Sequence, residues 1–157
     1  MRTRLSLGLV LALVLGSLAL APNSAVAQSP APTLLRAKML GTAEVPGPGD
    51  PDGLGFASVT VLADQRQVCY TLNVVNIATP TAAHIHVGGP TVAGPIVLPL
   101  ETPARGSISA CATNVDAALI ARLISNPSNY YVNVHNATYP NGAIRGQLRV
   151  FTDSIED

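Results

Sequence analysis

The sequence has no tryptophan, two phenylalanines, four tyrosines, three histidines and two cysteines, and only 11% of its residues are charged. Each scarcity excludes something. With few aromatics and no basic patch, nucleic acid is a poor candidate partner. After the amino-terminal segment no apolar run is long enough to cross a bilayer. Linear catalytic signatures are missing too. There is no Gly-x-Ser-x-Gly for a nucleophile elbow, no Gly-x-Gly-x-x-Gly and no P-loop. No carboxylate pair is placed for glycoside chemistry, because Asp50 and Asp52 share a turn and Glu101 is isolated.

What is present begins with an export signal. Arg2 and Arg4 precede an apolar run from Leu5 to Leu20, and Ala25-Val26-Ala27 reads as a cleavage site, so residues 1–27 form a signal peptide. The run ends at Pro22 and is short for a membrane anchor. No cysteine follows the cut to take a lipid. The mature chain of about 130 residues suits one domain with a real core. Without Arg2 and Arg4, seven basic residues face nine acidic ones. The expected location is secreted or extracytoplasmic, with an unknown extracytoplasmic partner. The two cysteines agree: outside the cytoplasm Cys69 and Cys111 are most simply one disulfide. It would close a loop of about 43 residues.

Residues 28–33, Gln-Ser-Pro-Ala-Pro-Thr, form a proline-marked flexible leader. Alternating β-forming stretches follow: Leu34–Leu40, Gly55–Leu62, Gln67–Val75, Ala82–Val87, Pro95–Leu100, Gly106–Ala112, Tyr130–His135 and Ala143–Val150. In Gln67–Val75 the apolar face is Val68, Tyr70, Leu72 and Val74. Val45 to Gly53 is turn chemistry; Asp50 and Asp52 lack the further oxygens of a calcium loop, so a solvated turn is expected. One segment has a helical period. Leu119, Leu123, Ile120 and Ile124 form its apolar face, Asn114 is the candidate N-cap, and Asn126-Pro127 stops it. The fold class is all-β: an antiparallel Greek-key β-sandwich or flattened barrel of about eight strands with one short helix. An acidic tail, residues 151–157, ends the chain. Asn136-Ala137-Thr138 is a formal glycosylation sequon.

The chemistry concentrates in two strands. In Ala83-His84-Ile85-His86-Val87, alternation sends His84 and His86 to one face and Ile85 to the other. The third histidine, His135, ends Tyr131-Val132-Asn133-Val134-His135. If these strands are neighbours, three imidazoles converge, and neutral imidazoles suit copper or zinc. Asn133, Thr81 and backbone carbonyls are the nearby partners for their remaining nitrogens. The structural alternative is that His84 and His86 brace the Gly88-Gly89-Pro90 turn and His135 the turn through Pro140.

These stretches also carry a resemblance. Leu40-Gly41-Thr42-Ala43-Glu44-Val45-Pro46, Ala82-Ala83-His84-Ile85-His86, Tyr131-Val132-Asn133-Val134-His135, Tyr139-Pro140-Asn141-Gly142 and Ile144-Arg145-Gly146-Gln147-Leu148, in that order, resemble the CHRD domain. This is the repeat named after chordin, also found singly in exported microbial proteins. The resemblance spans residues 34–150 and implies an extracellular β module. In chordin the domains belong to a secreted growth-factor antagonist, and nothing suggests that antagonism extends to a single-domain chain.

A second likeness is more mechanistic. The His-x-His strand, the later Val-His strand end and the Gly-x-x-Arg segment at Gly142–Arg145 are similar to the copper half of copper/zinc superoxide dismutase. That resemblance implies His84, His86 and His135 as copper ligands and Arg145 as the guide for an incoming anion. The departures are plain. No fourth histidine bridges to zinc, and Val87-Gly88-Gly89-Pro90 stands where a zinc cluster would begin. At most the likeness implies one copper ion. Arg145 has a structural alternative in pairing with a carboxylate such as Glu44 or with carbonyls. The expected function is an exported module with a binding or structural role that holds copper through three histidines. The alternative is a copper-only, superoxide dismutase-like enzyme.

Overall fold

The computed structural model describes residues 29–151. The expected export signal, residues 1–27, and the acidic residues beyond Phe151 lie outside the described residues. Among the described residues nine antiparallel strands and one short α-helix build the domain: β1 (Thr33–Leu40), β2 (Leu54–Leu62), β3 (Gln67–Val75), β4 (Pro80–Val87), β5 (Ile96–Leu100), β6 (Ser107–Ala112), α1 (Ala117–Ser125), β7 (Tyr130–Asn136), β8 (Ile144–Gln147) and β9 (Arg149–Val150). The sheet runs β5-β4-β7-β8-β1-β2-β3-β6, with β9 beside β1. It curls almost into a barrel. Its two edges, β5 and β6, do not pair; instead the Glu101 N–H just past β5 donates to the Tyr70 hydroxyl on β3 at 2.7 Å. Connections that leave one half of the sheet and return on the other give the Greek-key character expected from the strand pattern.

Alternation decides the core. Leu35 and Met39 of β1, Val59 and Val61 of β2, and Val68 and Leu72 of β3 are buried, while Arg36 and Lys38 between them are exposed. Each large apolar side chain so buried contributes roughly 1.5–3 kcal/mol. The helix covers one end. Leu119, Ile120 and Leu123 join the core, and Ile124 packs against it from the rim. Its N-cap is Asp116 rather than Asn114: the Asp116 carboxylate accepts from the Leu119 N–H at 2.9 Å. Asn114 lies earlier, at φ +55°, where asparagine is better tolerated than most residues.

Two other expectations are corrected. The last strand is not continuous from residue 143. Leu148 turns into the core, its N–H bonding the Tyr130 carbonyl, and the chain, which lies between β7 and β1 in β8, continues as β9 beside β1. The Val45–Gly53 turn is not fully solvated. Asp50 is 9% exposed, and its N–H donates to the Ala143 carbonyl. The sequon residue Asn136 is fully buried, with its side-chain oxygen accepting from the Tyr139 N–H, so the folded chain offers no glycan site there. Cys69 and Cys111 oppose one another in register and are joined, tying edge strand β6 to β3. No helix among the described residues is long and apolar enough to cross a membrane.

Candidate metal centre

The site follows from register. On β4 and β7, Ala82 opposes His135, His84 opposes Asn133 and His86 opposes Tyr131. On β7 and β8, Asn133 opposes Arg145 and Tyr131 opposes Gln147. All of these side chains therefore share the outer face, while Ile85, Val132, Val134 and Ile144 fill the core. His84 and His135 are diagonal neighbours across two adjacent strands, within reach of long or ring side chains.

The three imidazoles converge. Their candidate ligand nitrogens all lie within 4.8 Å of one another. His84 Nδ1 is 3.2 Å from His135 Nε2. The remaining contacts settle which nitrogen of each ring faces inward. His86 Nδ1 bonds the Gly94 carbonyl at 2.8 Å, and His135 Nδ1 bonds the Pro140 carbonyl at 3.1 Å. A carbonyl only accepts, so each of these nitrogens carries the proton and leaves Nε2 as the lone-pair nitrogen. His135 Nε2 then accepts, and the proton between it and His84 sits on His84 Nδ1. A metal would take that proton's place. His86 Nε2 is buried with no hydrogen-bond partner, a condition that buried polar atoms rarely tolerate without cause.

The bracing role and the convergent role therefore coexist, one on each nitrogen of a ring. The braced groups differ in part from those expected. His135 does hold the turn through Pro140, but His86 reaches Gly94, beyond the Gly88-Gly89-Pro90 turn. Gly94 can come so close because it has no Cβ; one would sit 1.6 Å from the Val87 carbonyl oxygen. Of the proposed partners for the outer nitrogens, backbone carbonyls serve. Asn133 instead donates to Glu44 at 3.2 Å, and Thr81 is exposed.

Electrostatics keeps the rings neutral. Burial lowers the pKa of all three below the usual histidine value. For His84 the neighbouring His135 and His86 lower it further. For His86 the Gly94 carbonyl works against the shift and the Arg145 charge with it. At neutral pH the cluster offers lone pairs rather than charges.

Sequence reasoning missed Tyr131. Its ring stacks on His86, centroids 4.8 Å apart and planes 9° from parallel. Its hydroxyl accepts from the Gly94 N–H at 3.1 Å. The Arg145 guanidinium lies 3.4 Å from the Tyr131 ring centroid. Because β7 runs between β4 and β8, Tyr131 separates His86 from Arg145. Arg145 is 1% exposed and donates through Nη2 to the Gly89 carbonyl at 2.7 Å. It does not hydrogen-bond Glu44, although their charges attract. Glu44 is enclosed in turn, and burial pushes its carboxyl up to about 7 against the opposing pull of Asn133 and Arg145. The strand alternation put Tyr131 on the face of His135; only the pairing register could have put it against His86.

The fold and this face define a small antiparallel β module with a cluster of imidazoles on its outer wall. A family model for the CHRD domain matches residues 35–148, and the chain belongs to that family. No curated protein and no solved structure matches the chain. CHRD domains occur in extracellular proteins, and the Cys69–Cys111 bond is consistent with a place outside the cytoplasm.

Proposed function

We propose that this protein is an exported CHRD module that binds one copper ion through His84 Nδ1, His86 Nε2 and His135 Nε2. The observation that carries the proposal is the buried, unpartnered His86 Nε2 beside two further imidazole nitrogens, all within 4.8 Å. The donor set fits the ion: three neutral imidazoles suit copper and zinc, and divalent copper has the higher intrinsic affinity. The carbonyls of Gly94 and Pro140 orient two of the rings, as partners of metal-bound histidines usually do. Copper would supply one-electron chemistry. The export signal at residues 1–27 and the disulfide support a role outside the cytoplasm.

A superoxide dismutase-like enzyme is the second reading, since three protein ligands leave a position for water or substrate. It requires Arg145 to meet an incoming anion. The burial of that side chain, with Tyr131 between it and His86, favours a copper-holding module in which Arg145 steadies Tyr131.

Elemental analysis after copper loading and desalting tests the proposal. One copper per chain is expected, with nitrogen hyperfine structure in its electron paramagnetic resonance spectrum. The triple variant His84→Ala, His86→Ala, His135→Ala should retain none while unfolding cooperatively. A wild-type chain that comes through loading without copper overturns the proposal. A dismutase assay on the loaded protein then separates holding from catalysis.

A further inference from the structure

A second feature of the outer face lies past β8 and takes no part in the imidazole cluster. It is a depression of about 670 Å³ over β1, β2 and β9. Arg36, Lys38 and Arg149 line it together with Phe56 and Phe151, and among the described residues no aspartate or glutamate does. The chain is poor in charge, yet three of its cations gather here. Arg36 also stands directly opposite Arg149 in the β1–β9 register. Like charges placed so weaken a sheet, and a bound anion relieves the repulsion. Apolar surface accompanies the charge: Phe56 is 53% exposed and Val150 49% exposed. The Arg36 guanidinium already lies 3.5 Å from the Phe151 ring centroid, which fixes the plane of its donors.

Spacing narrows the ligand. Arg36 and Lys38 are alternate residues of one strand, both exposed, so their stems leave the sheet about 6.5–7 Å apart. Alternate side chains of any extended peptide repeat at the same distance. A peptide with carboxylates at every second position matches the row of cations. The backbone of such a peptide lies over the exposed Phe56 ring, and its intervening residues face away from the sheet.

We propose that this depression binds an extended acidic segment of a partner protein, with Arg36 and Lys38 receiving carboxylates at alternate positions and Arg149 sharing the carboxylate at Arg36. A flat lipid surface is a poorer match, because the cations line a hollow.

The test uses the mature chain and a fluorescein-labelled octapeptide alternating glutamate and valine. A control peptide of the same composition has four glutamates followed by four valines. Fluorescence anisotropy should show saturable binding of the alternating peptide that weakens with added salt. The block peptide should bind about threefold or more weakly. Arg36→Gln and Lys38→Gln should each weaken binding about fivefold, and Lys38→Arg should restore it. These side chains are exposed, so the unfolding midpoints of the variants should match the wild type. Unchanged affinity in both glutamine variants overturns the proposal. So does equal binding of the two peptides, which would mark an unselective polyanion surface. Binding to phosphatidylserine vesicles without binding to the alternating peptide overturns it in favour of a membrane. Copper stoichiometry in the same variants should stay at the wild-type value, so this outcome and that of the metal proposal are read separately.

Discussion

Replacing Glu44 by glutamine should stabilise the protein at pH 8 and leave it nearly unchanged at pH 4. Glu44 is 6% exposed, its Oε1 has no hydrogen-bond partner, and its Oε2 accepts one bond from Asn133. Burial raises its pKa from 4.5 to about 7. Between those values the folded chain keeps a proton that the unfolded chain has released. The Glu44 contribution to folding is therefore fully present below pH 4.5, is lost as pH rises through 7, and is flat beyond. The shift corresponds to about 3 kcal/mol. Glutamine preserves the size of the protonated side chain and cannot ionise, so Glu44→Gln should recover most of that difference. Urea unfolding from pH 4 to pH 8.5, with the disulfide intact, measures it. The wild-type midpoint should fall relative to the variant's across pH 4.5–7, by about 1–2 M at typical urea slopes; the three histidines, lowered alike in both chains, cancel in that difference. Parallel curves would show that burial does not govern Glu44. A variant less stable than wild type at pH 8 would show that attraction to Arg145 outweighs the desolvation.

Two further substitutions probe the frame around the site. Removing the disulfide by Cys69→Ser and Cys111→Ser should cost roughly 4 kcal/mol, from the length of the loop it closes; urea midpoints measure it, and a loss under about 1 kcal/mol would mean that β3 and β6 hold their register unaided. Gly142 has φ +145°, and a Cβ there would sit 2.3 Å from Glu44 Oε2. Gly142→Ala should therefore cost about 2–4 kcal/mol, and less in a Glu44→Ala background, where the colliding carboxylate is gone; additive losses in a thermal scan would place the strain in the backbone alone.

Much of the fold was legible because a half-buried strand writes its two faces into the sequence. Val68, Tyr70, Leu72 and Val74 alternate with Cys69, Thr71 and Asn73, and β3 has the bounds that this pattern predicts. The breaks in pattern were harder. Leu148 belongs to the core while its neighbours Arg149 and Val150 are exposed, and no local period marks where a strand is interrupted. Asn114 and Asp116 are both good caps; the structure chose the one whose side chain reaches an N–H three residues on.

The site divides the same way. Local alternation by itself set His84 and His86 on one face, because neighbouring side chains of a strand point oppositely. The even cysteine count gave the disulfide, and turn chemistry gave the turn that carries Pro140 and Gly142. Local pattern could not supply what lies across strands. The approach of His135 to His84, the insertion of Tyr131 between His86 and Arg145, and the reach of the Gly94 carbonyl depend on pairing register and loop path. Those are set by how the whole barrel buries its apolar surface. The same closure encloses Glu44 and gathers Arg36, Lys38 and Arg149 on one wall, so the charges that matter most were decided by packing rather than by sequence position.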